Sequence, residues 1–311
     1  MGTIFGAIQP LVNQQDSYQS IAMIADLHAI TNGHDPKSLA QHTLSTAALY
    51  LAAGLDPENT ILFVQSQVPA HTQLMHLLNC ITPTADLNQM MQFKQKANDK
   101  TATVGLYDYP ILMAADILLY CPELVSVGQD QTQHLELTRR TARRFNRQFG
   151  DTFTEPKPLM AESLKIMSLT HAASKMSKSN PCDRGRINLL DTPETIRLKI
   201  QKAKTDSIPG LTFDPKRPEI FNLLTLYQQL SGKSQDEILA ELVSASTVDF
   251  KTRLTDLLIA TLTPIQQRYH DLMKQPEILL EALQDGQQKA NQIAQTTLAQ
   301  ASNKIGLLTI S

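Results

Sequence analysis

Short apolar runs alternate with longer helical patterns through the first half of the chain. Ile21-Ala22-Met23-Ile24-Ala25 is an apolar run followed by the polar step Asp26-Leu27-His28, which reads as a buried strand ending in a loop able to carry function. Pro36 to Gly54 reads as a helix: Pro36 stands near its start, Leu39, Leu44, Ala47 and Leu51 recur at helical spacing, and Gly54 follows as a stop. Ile61 to Val64 and Leu124 to Val127 are further candidate strands, and His71 to Cys80 and Gln131 to Phe149 further candidate helices. Strand and helix in alternation predict a mostly parallel sheet covered on both faces. Ligands of such sheets gather at the carboxyl ends of the strands. Those ends are Asp26-Leu27-His28, Gln65-Ser66 and Gly128-Gln129-Asp130.

The alternation is interrupted at residues 81–107, which are polar, carry Lys94, Lys96 and Lys100, and read as an insertion. Residues 151–190 read as irregular and hold the most basic short loop. From about residue 192 the pattern is nearly all helical. Thr192-Pro193-Glu194 is an N-cap with proline at the first helical position. Helices are expected over roughly 218–231, 235–245, 248–273 and 276–300, with Pro264 kinking or breaking the third of these. The expected organisation is an α/β domain over 1–185, a helical domain over 186–275, and a C-terminal helix in 276–311 that could return to the first domain.

Composition narrows the class. The 311 residues are 42% hydrophobic and 19% charged, enough apolar material for a sizeable core and unlike a disordered or collagenous chain. No apolar run approaches the roughly 20 residues that span a bilayer, so no membrane partner is expected. Cys80, Cys121 and Cys182 are scattered, which excludes a disulfide scaffold and a cysteine-based metal site and suits a reducing compartment; no protein-held metal is expected. The net charge of −2 means that a polyanion must be held by local patches. The chain contains no tryptophan.

Three segments carry candidate chemistry. Lys175-Met176-Ser177-Lys178-Ser179 places two lysines three apart among small hydroxyl residues. Such a loop is either a solvated basic turn or a polyphosphate contact that stabilises a departing pyrophosphate. Gly128-Gln129-Asp130-Gln131-Thr132-Gln133-His134 follows a strand and opens a helix. Gly128 permits close backbone approach, Asp130 could accept from ribose hydroxyls, and Gln131 can both donate and accept; the plainer alternative is an acidic N-cap on a polar helix face. In Met113-Ala114-Ala115-Asp116-Ile117-Leu118-Leu119-Tyr120 a lone carboxylate sits in an apolar run. A buried carboxylate needs a partner, either structural (backbone amides or an arginine) or a donor on a ligand, such as an indole N–H.

Lys-Met-Ser-Lys-Ser is the signature loop of class I aminoacyl-tRNA synthetases, and with the Asp116 and Gly128–His134 segments the chain resembles the bacterial-type tryptophanyl-tRNA synthetases. The similarity runs from Gly2 nearly to the C-terminus and includes Ile24 to Thr31, Ile166-Met167-Ser168-Leu169, Thr205-Asp206-Ser207 and Pro264 to Tyr269. The resemblance implies a Rossmann-like parallel-sheet catalytic domain followed by an all-helical domain. It implies attachment of L-tryptophan to tRNA(Trp) through tryptophanyl-adenylate, with ATP and Mg²⁺. Asp116 would accept the indole N–H, Tyr109 and Gln131 would hold the α-amino and carboxylate groups, and Met113, Ile117, Val125, Val127 and His28 would line the side-chain pocket. Gly128, Gln129, Asp130, Ile166, Met176, Ser177 and Ser179 would meet ATP, with Lys175 and Lys178 as the catalytic lysines on its phosphates. A homodimer, with the 81–107 insertion near its interface, and a cytoplasmic location are carried over in the same way.

The family's other signature, of the His-Ile-Gly-His type, is incomplete. Gly2 aligns with its glycine and Thr3 with its last position, so Gly2 and Thr3 would be the remaining ATP contacts, while its first residue and about one strand and turn lack a counterpart. This predicts impaired adenylation by the 311-residue chain, whether as the product of an internal start or, alternatively, as a non-catalytic relative that binds tryptophan or a protein partner. Arg139, Arg140, Arg143, Arg144 and Arg147 recur on a helix and could present a basic stripe to tRNA phosphates, or form a merely solvated face.

Overall fold

A computed structural model describes residues 8–90, 103–128, 131–160, 166–176 and 182–308. Two parallel strand pairs organise its α/β part. β1 (Ser20–Ile24) pairs with β2 (Thr60–Val64), Ser20 opposite Thr60 and Ile24 opposite Val64. β3 (Leu124–Val127) pairs with β4 (Lys157–Met160), Leu124 opposite Lys157. Parallel neighbours need a long crossover. α3 (Pro36–Ala52) lies in the first connection and α7 (Thr132–Phe149) in the second. The three strands expected from apolar runs are present within a residue or so. β4 falls in the stretch read as irregular, because Lys157 and Pro158 interrupt the apolar signal that marks a buried strand.

Between these elements stand α1 (Gln9–Gln14), α2 (Asp26–Ala29), α4 (Ala70–Asn79), α5 (Thr84–Asn88) and α6 (Val104–Leu118). Two differences from the sequence pattern matter for the site. Asp26-Leu27-His28 is not a loop but the short helix α2. The stretch read as an insertion contains α5 and the start of α6, with 91–102 outside the described residues. Thr103 begins α6, its hydroxyl accepting from the Leu106 amide at 3.1 Å.

The later helices are α8 (Pro193–Gln201), α9 (Pro218–Ser231), α10 (Gln235–Glu241), α11 (Thr247–Lys274) and α12 (Pro276–Ile305). Thr192 caps α8 as expected, accepting from the Thr195 amide at 3.2 Å. The expected break at Pro264 does not occur: α11 runs through it from Thr247 to Lys274. Proline removes one backbone donor, but Leu262 before it and Tyr269 after it are both buried on the same helix. Packing on either side holds the helix across the missing bond.

The chain divides into two compact units. One comprises Gln15–Ala48, Asp56–Ala161 and Gln275–Ser311 and holds all four strands. Its core joins Phe63, Leu74, Ile111, Leu118 and Phe145 to the small residues Ala290, Ala294 and Ala301 of α12. α12 packs on β2, and at Gly286 the approach is so close that a Cβ would collide with the Leu62 carbonyl. The other unit comprises Met1–Gln14, Leu49–Leu55 and Glu162–Lys274. Its core joins Ile166, Leu169, Met176 and Ile187 to Ile196, Leu223, Phe250 and Leu258 of the helices.

Candidate active site

The strand-bearing unit contains a cavity of about 480 Å³, within the ordinary range for small-molecule sites. α6 supplies one wall. Tyr109, Met113, Asp116 and Ile117 fall at i, i+4, i+7 and i+8, one face of the helix. β3 supplies another through Val125 and Val127, two residues apart on one side of the strand, followed by Gly128 and by Gln131 before α7. Met23 and Ala25 close the end of β1, and α2 adds His28. Every residue the sequence assigned to amino-acid binding therefore borders a single cavity, as does Gly128 from the nucleotide set.

Asp116 is buried and is the most heavily hydrogen-bonded side chain of that wall. Its Oδ1 accepts from Gln65 Nε2 at 2.8 Å and meets His71 Nδ1 at 2.7 Å, while its Oδ2 meets His28 Nε2 at 2.7 Å. Burial pushes the carboxyl up. The hydrogen-bonding and electrostatic interactions with His28 and His71 more than offset that, so its pKa lies below the ordinary value and it stays ionised. The alternative structural partner weighed from sequence, an arginine, is not among these contacts. Imidazoles and an amide hold the charge instead.

The supports of this arrangement lie at strand and helix ends. The Gln65 carbonyl oxygen accepts from the Leu27 amide at 3.1 Å, which directs its NH₂ at Asp116. His71 Nε2 stands 2.9 Å from the Tyr120 hydroxyl. Burial and the Asp116 charge push the Tyr120 pKa upward, so Tyr120 keeps its proton. Tyr109 Oη lies 2.8 Å from His134 Nε2. Gln65, His71, Tyr120 and His134 received no role from sequence. The strand-end position of Gln65 was the available signal. Nothing local marks His71, because its partner is 45 residues away.

In the other unit, the stem before the signature loop is an antiparallel bridge between Met167 and Lys175. The Met176 amide donates to the Ile166 carbonyl at 3.0 Å, and both side chains are buried. Asn222 of α9 clamps this stem, accepting from the Met167 amide at 2.7 Å and donating to its carbonyl at 2.9 Å. After the loop, Asp183 and Asp191 both pair with the buried Lys199 of α8. Gly2, Thr3, Gln129, Asp130, Ser177, Lys178 and Ser179 lie outside the described residues.

The arginines of α7 are not a free basic stripe. Arg139 and Arg143 both pair with Glu136 and Glu155, and Arg140 and Arg144 converge on Asp86. Glu136 lies on the same helix, but Asp86 comes from more than 50 residues away, which a helical repeat of arginines does not reveal.

Parallel strands, a cavity at their carboxyl ends and, later in the sequence, a Lys-Met-Ser-Lys-Ser signature followed by a run of helices define a class I aminoacyl-tRNA synthetase. The model of the family tRNA synthetases class I (W and Y) matches residues 1–263, and the chain belongs to that family. Its relatives lie on the tryptophan side. It is 49% identical over 314 residues to the tryptophan–tRNA ligase of Thermosynechococcus vestitus, covering 98% of this chain and 95% of that protein. Among solved structures, the tryptophanyl-tRNA synthetase of Mycoplasma pneumoniae superposes with a TM-score of 0.88 at 33% identity, covering 99% of this chain and 94% of that one. The Campylobacter jejuni tryptophanyl-tRNA synthetase, crystallised with ADP and tryptophan, gives 0.85 at 31% identity, covering 98% and 95%.

Proposed function

We propose that this chain is a tryptophan–tRNA ligase, charging tRNA(Trp) through tryptophanyl-adenylate. The observation that carries the reading is Asp116. An ionised carboxylate has about four acceptor positions, three hydrogen bonds fill part of them, and the residue borders a cavity otherwise walled by Met113, Ile117, Val125 and Val127. That combination suits a flat apolar ring with one N–H donor. Tyr109 and Gln131, at the same wall, would meet the polar end of the amino acid. The relatives' activity and the ligands of the Campylobacter jejuni enzyme support the same assignment.

The reaction needs no protein nucleophile. The tryptophan carboxylate attacks the α-phosphorus of ATP, the bond to the bridging oxygen breaks, and pyrophosphate leaves. A terminal ribose hydroxyl of the tRNA then attacks the adenylate carbonyl, and AMP leaves. Lys175 and Lys178 would stabilise the charge on the departing pyrophosphate, so catalysis is positioning and charge stabilisation. Among the described residues no group of three His, Cys, Asp or Glu side chains is arranged to hold a metal ion; Mg²⁺ would be carried on the phosphates. Gly128, Ile166 and Met176 would border the nucleotide. Residues 186–275 would meet tRNA, and the chain would act as a cytoplasmic homodimer. No described helix is long and apolar enough to cross a membrane.

The absence of tryptophan from the chain makes the test direct, since a bound tryptophan is the only indole emitter. Excited near 295 nm, added tryptophan should show raised anisotropy and a displaced emission maximum, and tyrosine should not compete. Tryptophan-dependent ATP–pyrophosphate exchange then reads the chemistry. Tryptophan binding without exchange, also by a chain extended upstream of Met1, would favour the non-catalytic alternative. Failure to bind tryptophan would remove the assignment.

A further inference from the structure

Tryptophan recognition, as read above, rests on one oxygen of Asp116, and the structure shows how that oxygen is aimed. The two contacts to Oδ1 come from Gln65 and His71, both fully buried and neither part of the cavity wall. The contact to Oδ2 comes from His28, which is part of the wall. Oδ2 is therefore the cavity-side atom, and Oδ1 is the anchored one.

We infer that His71 and Tyr120 form a positioning pair that fixes the Asp116 carboxylate, and so determine selectivity for a ring N–H without touching the ligand. Asp116 Oδ1 can only accept, so the His71 Nδ1 facing it carries a proton, and the neutral ring then offers Nε2 as the acceptor for the Tyr120 hydroxyl 2.9 Å away. Only one tautomer of neutral imidazole accepts at Nε2, the one protonated at Nδ1. That proton is the one offered to Asp116 Oδ1 at 2.7 Å. The Tyr120 hydroxyl thus secures the tautomer whose hydrogen bond is made on the far side of the ring.

Geometry locks the relay as well as hydrogen bonding. The His71 ring packs against both Phe63 and Tyr120, the three centroids standing 5.7 to 5.8 Å from one another. Asp116 lies in the last turn of α6 and Tyr120 just past its end, and His71 stands in the first turn of α4. A rotation of the carboxylate would break the His71 and Gln65 bonds together. With Oδ1 engaged twice, rotation is resisted and Oδ2 keeps one lone-pair direction toward the cavity. Without His71, the Gln65 bond alone remains on that oxygen, and the carboxylate can turn toward His28.

The inference rests on the tryptophan reading, and the test separates the two. The probes are tryptophan and β-(benzothiophen-3-yl)alanine, which replaces the ring N–H by sulfur. Calorimetry gives the ratio of their Kd values. The wild-type 311-residue chain should prefer tryptophan by about 10- to 100-fold, the range for a hydrogen bond to a charged group. No preference in the wild type would overturn the Asp116 reading itself. With that preference present, His71→Leu should bring the ratio close to one while ATP affinity is unchanged. His71→Asn, which keeps an N–H near the Nδ1 position, should restore most of it, and Tyr120→Phe should fall between. A structural role alone would weaken both probes equally and leave the ratio intact, which overturns the inference. If His71→Leu does not fold, the ratio in Tyr120→Phe decides: an unchanged ratio overturns the inference and a reduced one supports it.

Discussion

His28 Nε2 stands 2.7 Å from Asp116 Oδ2, so the carboxylate oxygen on the cavity side already has one proton donor beside it. Three donors thus converge on a group with no proton of its own. Asn in place of Asp116 keeps the shape but turns one acceptor into a donor. The amide oxygen would remain with His71 and Gln65, and the new NH₂ would face His28 and the cavity. His28 can answer by changing tautomer, but an indole N–H cannot. Asp116→Asn is expected to fold and to bind tryptophan about 10- to 100-fold more weakly, measured by fluorescence titration.

Acid should reveal the same carboxylate. A carboxyl whose pKa falls on folding stabilises the fold above its unfolded value, about 3.9, and loses that contribution as pH falls through its folded value. Asp116 is depressed by its two histidine partners in spite of burial. The stability difference between wild type and Asp116→Asn should therefore shrink below about pH 4. Urea unfolding near neutrality and near about pH 3 measures it.

Gly286 is where α12 touches β2, and a methyl group there meets the Leu62 carbonyl rather than a yielding side chain. Gly286→Ala should destabilise the protein by about 3 kcal/mol, although alanine favours helix by roughly 1 kcal/mol over glycine. A higher urea midpoint than wild type would contradict the close contact.

Asn222 bonds both backbone groups of Met167 and is buried. Asn222→Ala should cost about 2 kcal/mol for the two orphaned groups. Because the clamp holds the stem that leads to Lys175, KM for ATP should rise while Kd for tryptophan stays the same. Equal changes in both would mean a global effect.

Cys182 sits just past the signature loop, and hydrogen bonds from the Arg184 backbone and side chain lower its pKa from the ordinary thiol value. Its thiolate fraction at neutral pH should make it alkylate faster than Cys80 and Cys121. Peptide mass spectrometry after a brief iodoacetamide pulse gives the order.

The sequence by itself determined much of this protein. Apolar runs bounded by polar steps gave β1, β2 and β3, because a strand buried on both faces shows as an uninterrupted apolar segment. The lone Asp116 carboxylate among apolar residues marks itself by its cost, and the family resemblance names Tyr109, Met113 and Ile117, which α6 brings to one face with it. The Lys-Met-Ser-Lys-Ser loop announces its family because few other sequences use it. These signals are local, so one chain segment suffices to read them.

The tertiary structure decided what depends on distance across the chain. It chose His28, His71 and Gln65 as the partners of Asp116, where the sequence left backbone amides, an arginine or a ligand open. It turned the arginines of α7 toward Asp86, Glu136 and Glu155. It carried α11 through Pro264 and seated α12 on β2. The reason is common to all four. A charge or a helix face is committed by whatever packs against it, and partners such as His71 for Asp116 or Asp86 for Arg144 stand tens of residues away, beyond the reach of any periodicity.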